Sequence, residues 1–333
     1  MRQWRLVLGT AISVACLVLL LARVDLAAVG ASVRAANASW LLVATPLFAA
    51  SIWARAMRWR AIVAPIARLS RSDAAALVVI GYAANNLLPA RTGEVVRAVL
   101  LQRGHGASAM AGLGTIVVER VFDGLVLALM LAGTLAVAGG TGLLRTLAAV
   151  AGAGFAGIAL MLLLLAIAPR FAWAIIEASL GLLPRSLAAR VRALVERFLD
   201  GLATLRDPRT SIFVIGASVL GWLLEAAACW AIGEAFALPL APLLYLGICG
   251  AANLAIAAPS TSGGIGPYEL LASAAAVAFG ASTAAATAFA IALHAFVLVP
   301  VTIVGVLLLW QRHLGLGTLT TSRVPNATNE VRA

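Results

Sequence analysis

The constraint that shapes this chain most is a series of apolar runs of about 20 residues, two of them broken at mid-length by asparagine, proline or glycine. An unbroken run of that length crosses a ~30 Å hydrocarbon core as a helix that satisfies its own backbone hydrogen bonds. Composition agrees, since 63% of the 333 residues are hydrophobic and 11% are charged, against about 25% charged in soluble domains. A water-soluble globular enzyme is excluded. The sequence predicts an all-α, polytopic transmembrane helix bundle, with function inside the membrane or at its faces.

Charge sets the expected orientation. The 24 basic side chains are all arginine and leave a net charge of +11, and arginines flanking membrane helices collect on the cytoplasmic side. The run 6–22 follows Met1-Arg2-Gln3-Trp4-Arg5 and reads as a retained span rather than a signal peptide. The next, 40–57, ends among Arg55, Arg58, Arg60, Arg68 and Arg71, which places that end and the amino terminus in the cytoplasm. Residues 74–89 are apolar but short, broken by Asn85-Asn86 and Pro89, and followed by Arg91, Arg97 and Arg103. A re-entrant hairpin fits these charges better than a full span. Spans at 109–138 and 147–168 follow. Segment 169–209, with seven arginines and four acids, reads as a cytoplasmic amphipathic stretch lying on the bilayer. No arginine or lysine occurs from 211 to 310, where a span (211–235), an interrupted region (238–280) and a last span (284–310) are expected. The total is about six full spans plus two re-entrant or broken hairpins, or about eight spans with the breaks counted. They form a single domain over 1–315, ahead of a disordered cytoplasmic tail over 316–333.

The two halves echo each other. Gly81-Tyr82-Ala83-Ala84-Asn85-Asn86 through Pro89, Gly93 and Glu94 resembles Gly250-Ala251-Ala252-Asn253 through Pro259, Gly266 and Glu269, although the Pro-to-Glu spacing is five in one and ten in the other. With opposite starting sides, this suggests a three-plus-three inverted repeat, a design used by many transporters.

Charges within apolar runs cost at least ~2.5–3.5 kcal/mol each at the bilayer centre, so they are expected to have partners or to line a wet cavity. Glu119, Arg120 and Asp123 share the 109–138 span, Glu225 lies in the 211–235 span, Glu269 follows the second break and His294 lies in the last span. Two readings stand: a network that ties helices together, or a path for substrate or protons. At the first break Pro89 removes a donor and Gly93 permits a tight turn. Thr92 is placed to cap the helix that starts there, and such an amino terminus favours an anion. Asn85, Asn86, Arg91, Glu94 and Arg97 are therefore candidates to bind a phosphate, with Arg91 and Arg97 as guanidinium forks. The same two arginines would also satisfy the positive-inside rule. The second break supplies gate candidates in Pro259, Gly263, Gly264 and Gly266, which act with Pro89 and Gly93, and binding candidates in Tyr268 and Glu269. Arg55, Arg58, Trp59 and Arg60 read as an interfacial anchor. No catalytic constellation, metal ligand set, cofactor motif or nucleic-acid signature is present, and no cofactor is expected.

Asn85-Asn86-Leu87-Leu88-Pro89-Ala90-Arg91-Thr92-Gly93-Glu94, Glu119-Arg120-Val121-Phe122-Asp123 and Gly263-Gly264-Ile265-Gly266-Pro267-Tyr268-Glu269 resemble the signatures of the lysylphosphatidylglycerol synthase transmembrane-region family. The resemblance runs from about residue 5 to 312. It implies a bacterial inner-membrane, flippase-like domain that moves an anionic phospholipid or lipid-linked precursor. Larger relatives flip aminoacylated phosphatidylglycerol and carry a soluble aminoacyl-transferase domain that is not in this sequence, so synthesis of that lipid is not expected. Stand-alone relatives are associated with glycosyltransferases and isoprenoid-linked lipids. That opens two further readings, an accessory subunit or transferase acting on polyprenyl-phosphate-linked sugars and a plain membrane scaffold, and it suggests a glycosyltransferase or lipid-modifying enzyme as partner.

Overall fold

The computed structural model describes residues 26–88, 92–140, 142–167, 184–256 and 262–312, with single positions at 18, 173, 176, 177 and 180. The expected first span and tail lie outside this set, apart from position 18. Among the described residues there are eleven α-helices. They are α1 (Leu26–Ala35), α2 (Leu41–Val63), α3 (Arg71–Leu87), α4 (Gly93–His105), α5 (Ala109–Ala138), α6 (Gly142–Ile167), α7 (Arg185–Asp200), α8 (Pro208–Ala235), α9 (Leu244–Ala255), α10 (Pro267–Ala278) and α11 (Thr283–Gln311). Five segments are long and apolar enough to cross a bilayer: Ala38–Val63, Ala109–Ala138, Gly142–Ile167, Pro208–Ala235 and Thr283–Gln311. The chain is a multi-pass membrane helix bundle.

The boundaries follow local chemistry. Ser70 accepts the Asp73 amide to start α3, and Asp207 accepts the amides of Arg209 and Thr210 ahead of Pro208, which sits where its missing N–H is not needed. Gly106 ends α4 in the left-handed region at φ 71°. α7 is amphipathic and packs across α5. Proline is tolerated inside α2 (Pro46) and α11 (Pro300), helices that run on through it.

Two of the helix pairs are too short to cross. α4, α9 and α10 have 13, 12 and 12 residues, or about 18–20 Å at 1.5 Å per residue, against a ~30 Å core. α3 with α4, and α9 with α10, form helical hairpins. The first opens toward the arginine-rich face, where Arg312 at the end of α11 donates to Asp73 at the start of α3 (2.8 Å). The second opens toward the opposite face, where Gly247 near the start of α9 lies against Thr134 near the end of α5. Their tips therefore approach mid-depth from opposite sides.

Packing is two-fold in pattern. α2 and α8, the spans that precede the hairpin in each half, run antiparallel. The Asn37 amide donates to Ala235 O at one end (2.8 Å) and the Thr204 hydroxyl to Ile62 O at the other (2.7 Å). Each hairpin's first helix then packs antiparallel on the last span of the other half. α3 lies on α11, with Asn86 at Thr302 and Gly305 against Val79 and Ala83. α9 lies on α5, with Gly250 against Leu127 and Leu131. This is the contact pattern of an inverted repeat. The core fills the same crossings with small residues, among them Ala226, Ala251, Ala252, Ala272, Ala276 and Ala290 around Tyr245 and Phe289, which lets helix backbones approach closely.

Candidate functional site

The hairpin tips meet beside a run of buried charge. At the first tip, Thr92 occupies the cap position of α4 but makes no capping bond. The cap comes from across the hairpin instead: the Gly93 amide donates to Asn85 Oδ1 (2.7 Å), while Asn85 Nδ2 donates to Glu94 (3.2 Å). Gly93 is required there by a close approach, because a Cβ would fall on the carbonyl of Gly81. Asn86 ties the tip to α11 through Thr302 (2.9 Å). At the second tip Gly263, Gly264 and Gly266 all have left-handed φ, at 75°, 74° and 100°, a region that costs any side-chain-bearing residue. Glu269 Oε2 accepts the Gly266 amide (2.8 Å), and its other oxygen meets His294 Nδ1 (2.7 Å). His294 Nε2 reaches Gly263 O (2.9 Å), and the ring stacks on Tyr268 at 4.2 Å. One imidazole from α11 thus holds both the turn and the helix of the second hairpin.

Between the tips and α2 lies the ionic network. Arg58, fully buried, faces Asp123 through both nitrogens (2.5 and 3.1 Å), donates to Ser218 (2.9 Å) and lies 3.4 Å from Glu119. Arg97 pairs with Glu119 at 2.6 Å and stacks over Trp59. Arg55 pairs with Glu225 at 2.5 Å over the Trp222 ring, and Asn253 donates to the same carboxylate (3.0 Å). Trp222 donates to Asp123 (2.8 Å). Arg120 is held more loosely, at 3.2 Å from Glu119, 3.7 Å from Asp123 and 3.8 Å from Glu94, and 34% of its side chain stays exposed. Four arginines face four carboxylates here, and Glu269 with His294 forms a separate pair. Burial without partners would be prohibitive, so the near balance is what permits the cluster.

A cavity of about 320 Å³ opens where the tips and this network converge. Its polar wall comprises Arg55, Asn85, Asn86, Arg120, Asp123, Glu225, Asn253 and His294 with Tyr82 and Tyr268, and its apolar wall includes Phe48, Ile52, Phe155, Val297, Leu298 and Val301. Such a site can solvate a polar group on one side and cover an acyl chain on the other.

Of the residues expected to bind, Asn85, Asn86, Arg120, Asp123 and Tyr268 line the cavity, as do the expected gate residues Gly263 and Gly264. Glu94, Arg97, Glu119 and Glu269 lie outside the lining and engage partners within the protein. Gly93 and Gly266 build the tips, whereas Pro89, Arg91 and Pro259 lie outside the described residues. Arg55 and Arg58, read from the sequence as an interfacial anchor with Trp59 and Arg60, are instead interior, because α2 continues to Val63 rather than ending near 57. That extra length puts them about 8–12 Å below its end. The signal was available: Ser51, Arg55 and Arg58 share a helical face with Ser218 and Glu225 opposite. Asn253, noted only as an echo, closes the same side. Among the described residues no group of three or more His, Cys, Asp and Glu side chains is placed to hold a metal ion.

The chain is 24% identical over 334 aligned residues to glycosyltransferase AglD of Haloferax volcanii, covering 91% of this chain and 54% of that protein. It therefore spans about half the length of that relative. No solved structure matches it. The sequence profile of the lysylphosphatidylglycerol synthase TM region matches residues 6–305, and the chain belongs to that family.

Proposed function

We propose that this protein translocates an anionic phospholipid or lipid-linked precursor across the bacterial inner membrane, with both termini cytoplasmic. The observation that carries the proposal is the cavity at the junction of two oppositely entering hairpins, polar on one wall and apolar on the other. Its volume suits a headgroup and leaves acyl chains to the bilayer. Arg120 is the guanidinium that meets the phosphate, because its contacts to Glu94 and Asp123 are long and its side chain already faces the cavity. As a phosphate arrives, Arg120 exchanges a carboxylate contact for it, a trade between like-charged acceptors. Arg58 and Arg97, sealed against Asp123 and Glu119, hold the acids in place. Alternating access then proceeds by hinging at Gly263, Gly264 and Gly266. Liposomes reconstituted with labelled phospholipids test this. Headgroup-selective scrambling that falls about tenfold or more in Arg120→Gln supports the reading, given ~1.5–3 kcal/mol for a charge-assisted hydrogen bond; scrambling unchanged by that substitution refutes it.

The glycosyltransferase name of the aligned relative favours one second reading, in which this unit presents a polyprenyl-phosphate-linked sugar to a transferase partner. A deletion strain that loses a glycolipid, together with purified protein that scrambles no lipid, would select it over transport.

A further inference from the structure

We propose a second lipid site, separate from the cavity: a groove on the outer side of α2 that holds one anionic glycerophospholipid from the bilayer leaflet at the arginine-rich face. The groove, about 460 Å³, is lined by Arg60, Arg68 and Arg71 at one end and by Trp53, Met57 and Phe213 at the other. Its chemistry is divided lengthwise, cationic toward the loop that joins α2 to α3 and apolar toward the membrane interior. That is the order in which a phospholipid presents phosphate and then acyl chain.

Three observations support this reading. First, the groove is distinct from the cavity. At about 100° per residue, Phe48, Ile52 and Arg55 point one way from α2, and Trp53, Met57, Arg60 and Ala64 point roughly 140° round the same helix. α2 therefore stands as a wall between the two. Second, the cations have no carboxylate: among the described residues no acid lies within ion-pair distance of Arg60, Arg68 or Arg71. The acids nearby are otherwise engaged, Asp73 with Ser70 and Arg312 and Asp207 with the first turn of α8. Arg60 is pre-positioned, its Nε donating to Leu69 O (2.7 Å), which leaves its terminal nitrogens for a ligand. Third, Trp53 and Phe213 are 48% and 51% exposed, offering an aromatic wall for an acyl chain on the membrane-interior side of the arginines. Arg209, one turn before Phe213 on α8, shares that helical face and extends the positive field. Guanidinium forks fit a phosphodiester, and a cationic surface with no carboxylate disfavours the ammonium of a zwitterionic headgroup, which leaves an anionic lipid as the occupant.

The test uses the full-length protein, delipidated in detergent and titrated with dioleoyl phosphatidylglycerol or dioleoyl phosphatidylcholine, with bound lipid read by native mass spectrometry. Wild type should favour phosphatidylglycerol, and Arg60→Gln/Arg68→Gln/Arg71→Gln should lower its affinity about tenfold or more, as expected for lost charge-assisted contacts. Because Arg60 also braces the loop, Arg68→Gln/Arg71→Gln is the second variant, keeping the Leu69 bond and still expected to lose several-fold. Arg192→Gln, an exposed cation on α7 outside both the cavity and the groove, should leave the preference intact. Equal binding of the two lipids by wild type, an unchanged preference in both groove variants, or an equal loss in Arg192→Gln would each overturn the proposal. So would displacement of the lipid by glycerol 3-phosphate, which would show that the groove takes a free phosphate. Failure of the scrambling test for Arg120 would not affect this result.

Discussion

Arg55 and Glu225 offer the sharpest test of the interior network, since each is under a tenth exposed and they meet at 2.5 Å. Arg55→Met keeps the volume and removes the charge, leaving Glu225 with only the Asn253 amide as a partner (3.0 Å). Removing one member of a buried pair costs about 3–5 kcal/mol. The cavity gives Glu225 some access to water, so the low end, about 3 kcal/mol, applies, with a further ~1 kcal/mol from losing the Arg55–Trp222 stack. Glu225→Gln in the same protein removes the stranded charge while its amide oxygen still accepts from Asn253. The double variant should therefore lie only about 1–2 kcal/mol below wild type, so that Glu225→Gln recovers about 2–3 kcal/mol of the Arg55→Met loss. Reversible unfolding of purified protein in mixed micelles of increasing sodium dodecyl sulfate content, followed by tryptophan fluorescence, measures all four corners of the cycle. If the two single costs simply add, Glu225 draws its compensation from elsewhere, and the pairwise account of the network is wrong.

Asp73 gives a pH signature at the arginine-rich face. The Ser70 hydroxyl and then Arg312 hold its carboxyl below the usual range, so its contribution is present above the unfolded pKa of ~3.9 and fades as pH falls through the lower folded value. Asp73→Asn should thus cost under about 1 kcal/mol at pH 7, the pair being partly exposed, and nothing once the medium is acid enough to protonate Asp73 in wild type; thermal melts across that range check it. Gly93→Ala should be severe, over about 3 kcal/mol, because the added carbon meets the Gly81 carbonyl; a monodisperse protein with wild-type stability would contradict the tip geometry. His294→Phe keeps the stack on Tyr268 but deletes both hydrogen bonds, and should speed amide exchange around 262–266 by about tenfold or more while sparing α2 and α8. Unchanged exchange there would remove His294 as the brace of the second hairpin.

The fold was legible where periodicity and charge spoke together. Short apolar stretches ending in arginine marked the first hairpin, and a hundred-residue interval without a cation marked the second, because lipid forbids unsatisfied backbone and the leaflets differ in charge. Asn85 and Asn253 were visible as an echo, but that each reaches a glutamate, Asn85 within its own hairpin and Asn253 on α8, depends on tertiary placement. Arg55 and Arg58 were misread because the positive-inside rule counts charge and is blind to depth. Only the continuation of α2 to Val63 reveals that both are interior. Arg97 shows the converse: a cation adjacent to a break was expected to serve a ligand, yet its nearest acid, Glu119, sits on the next helix.

The crossed seating of α3 on α11 and of α9 on α5 makes the two halves a clasp, each lending its short helices to the other's final column. Either half, expressed by itself, lacks the column on which the first helix of its hairpin lies. A half-length chain of this architecture would need a second copy inserted upside down in the same bilayer, an encounter that the joined chain makes unnecessary.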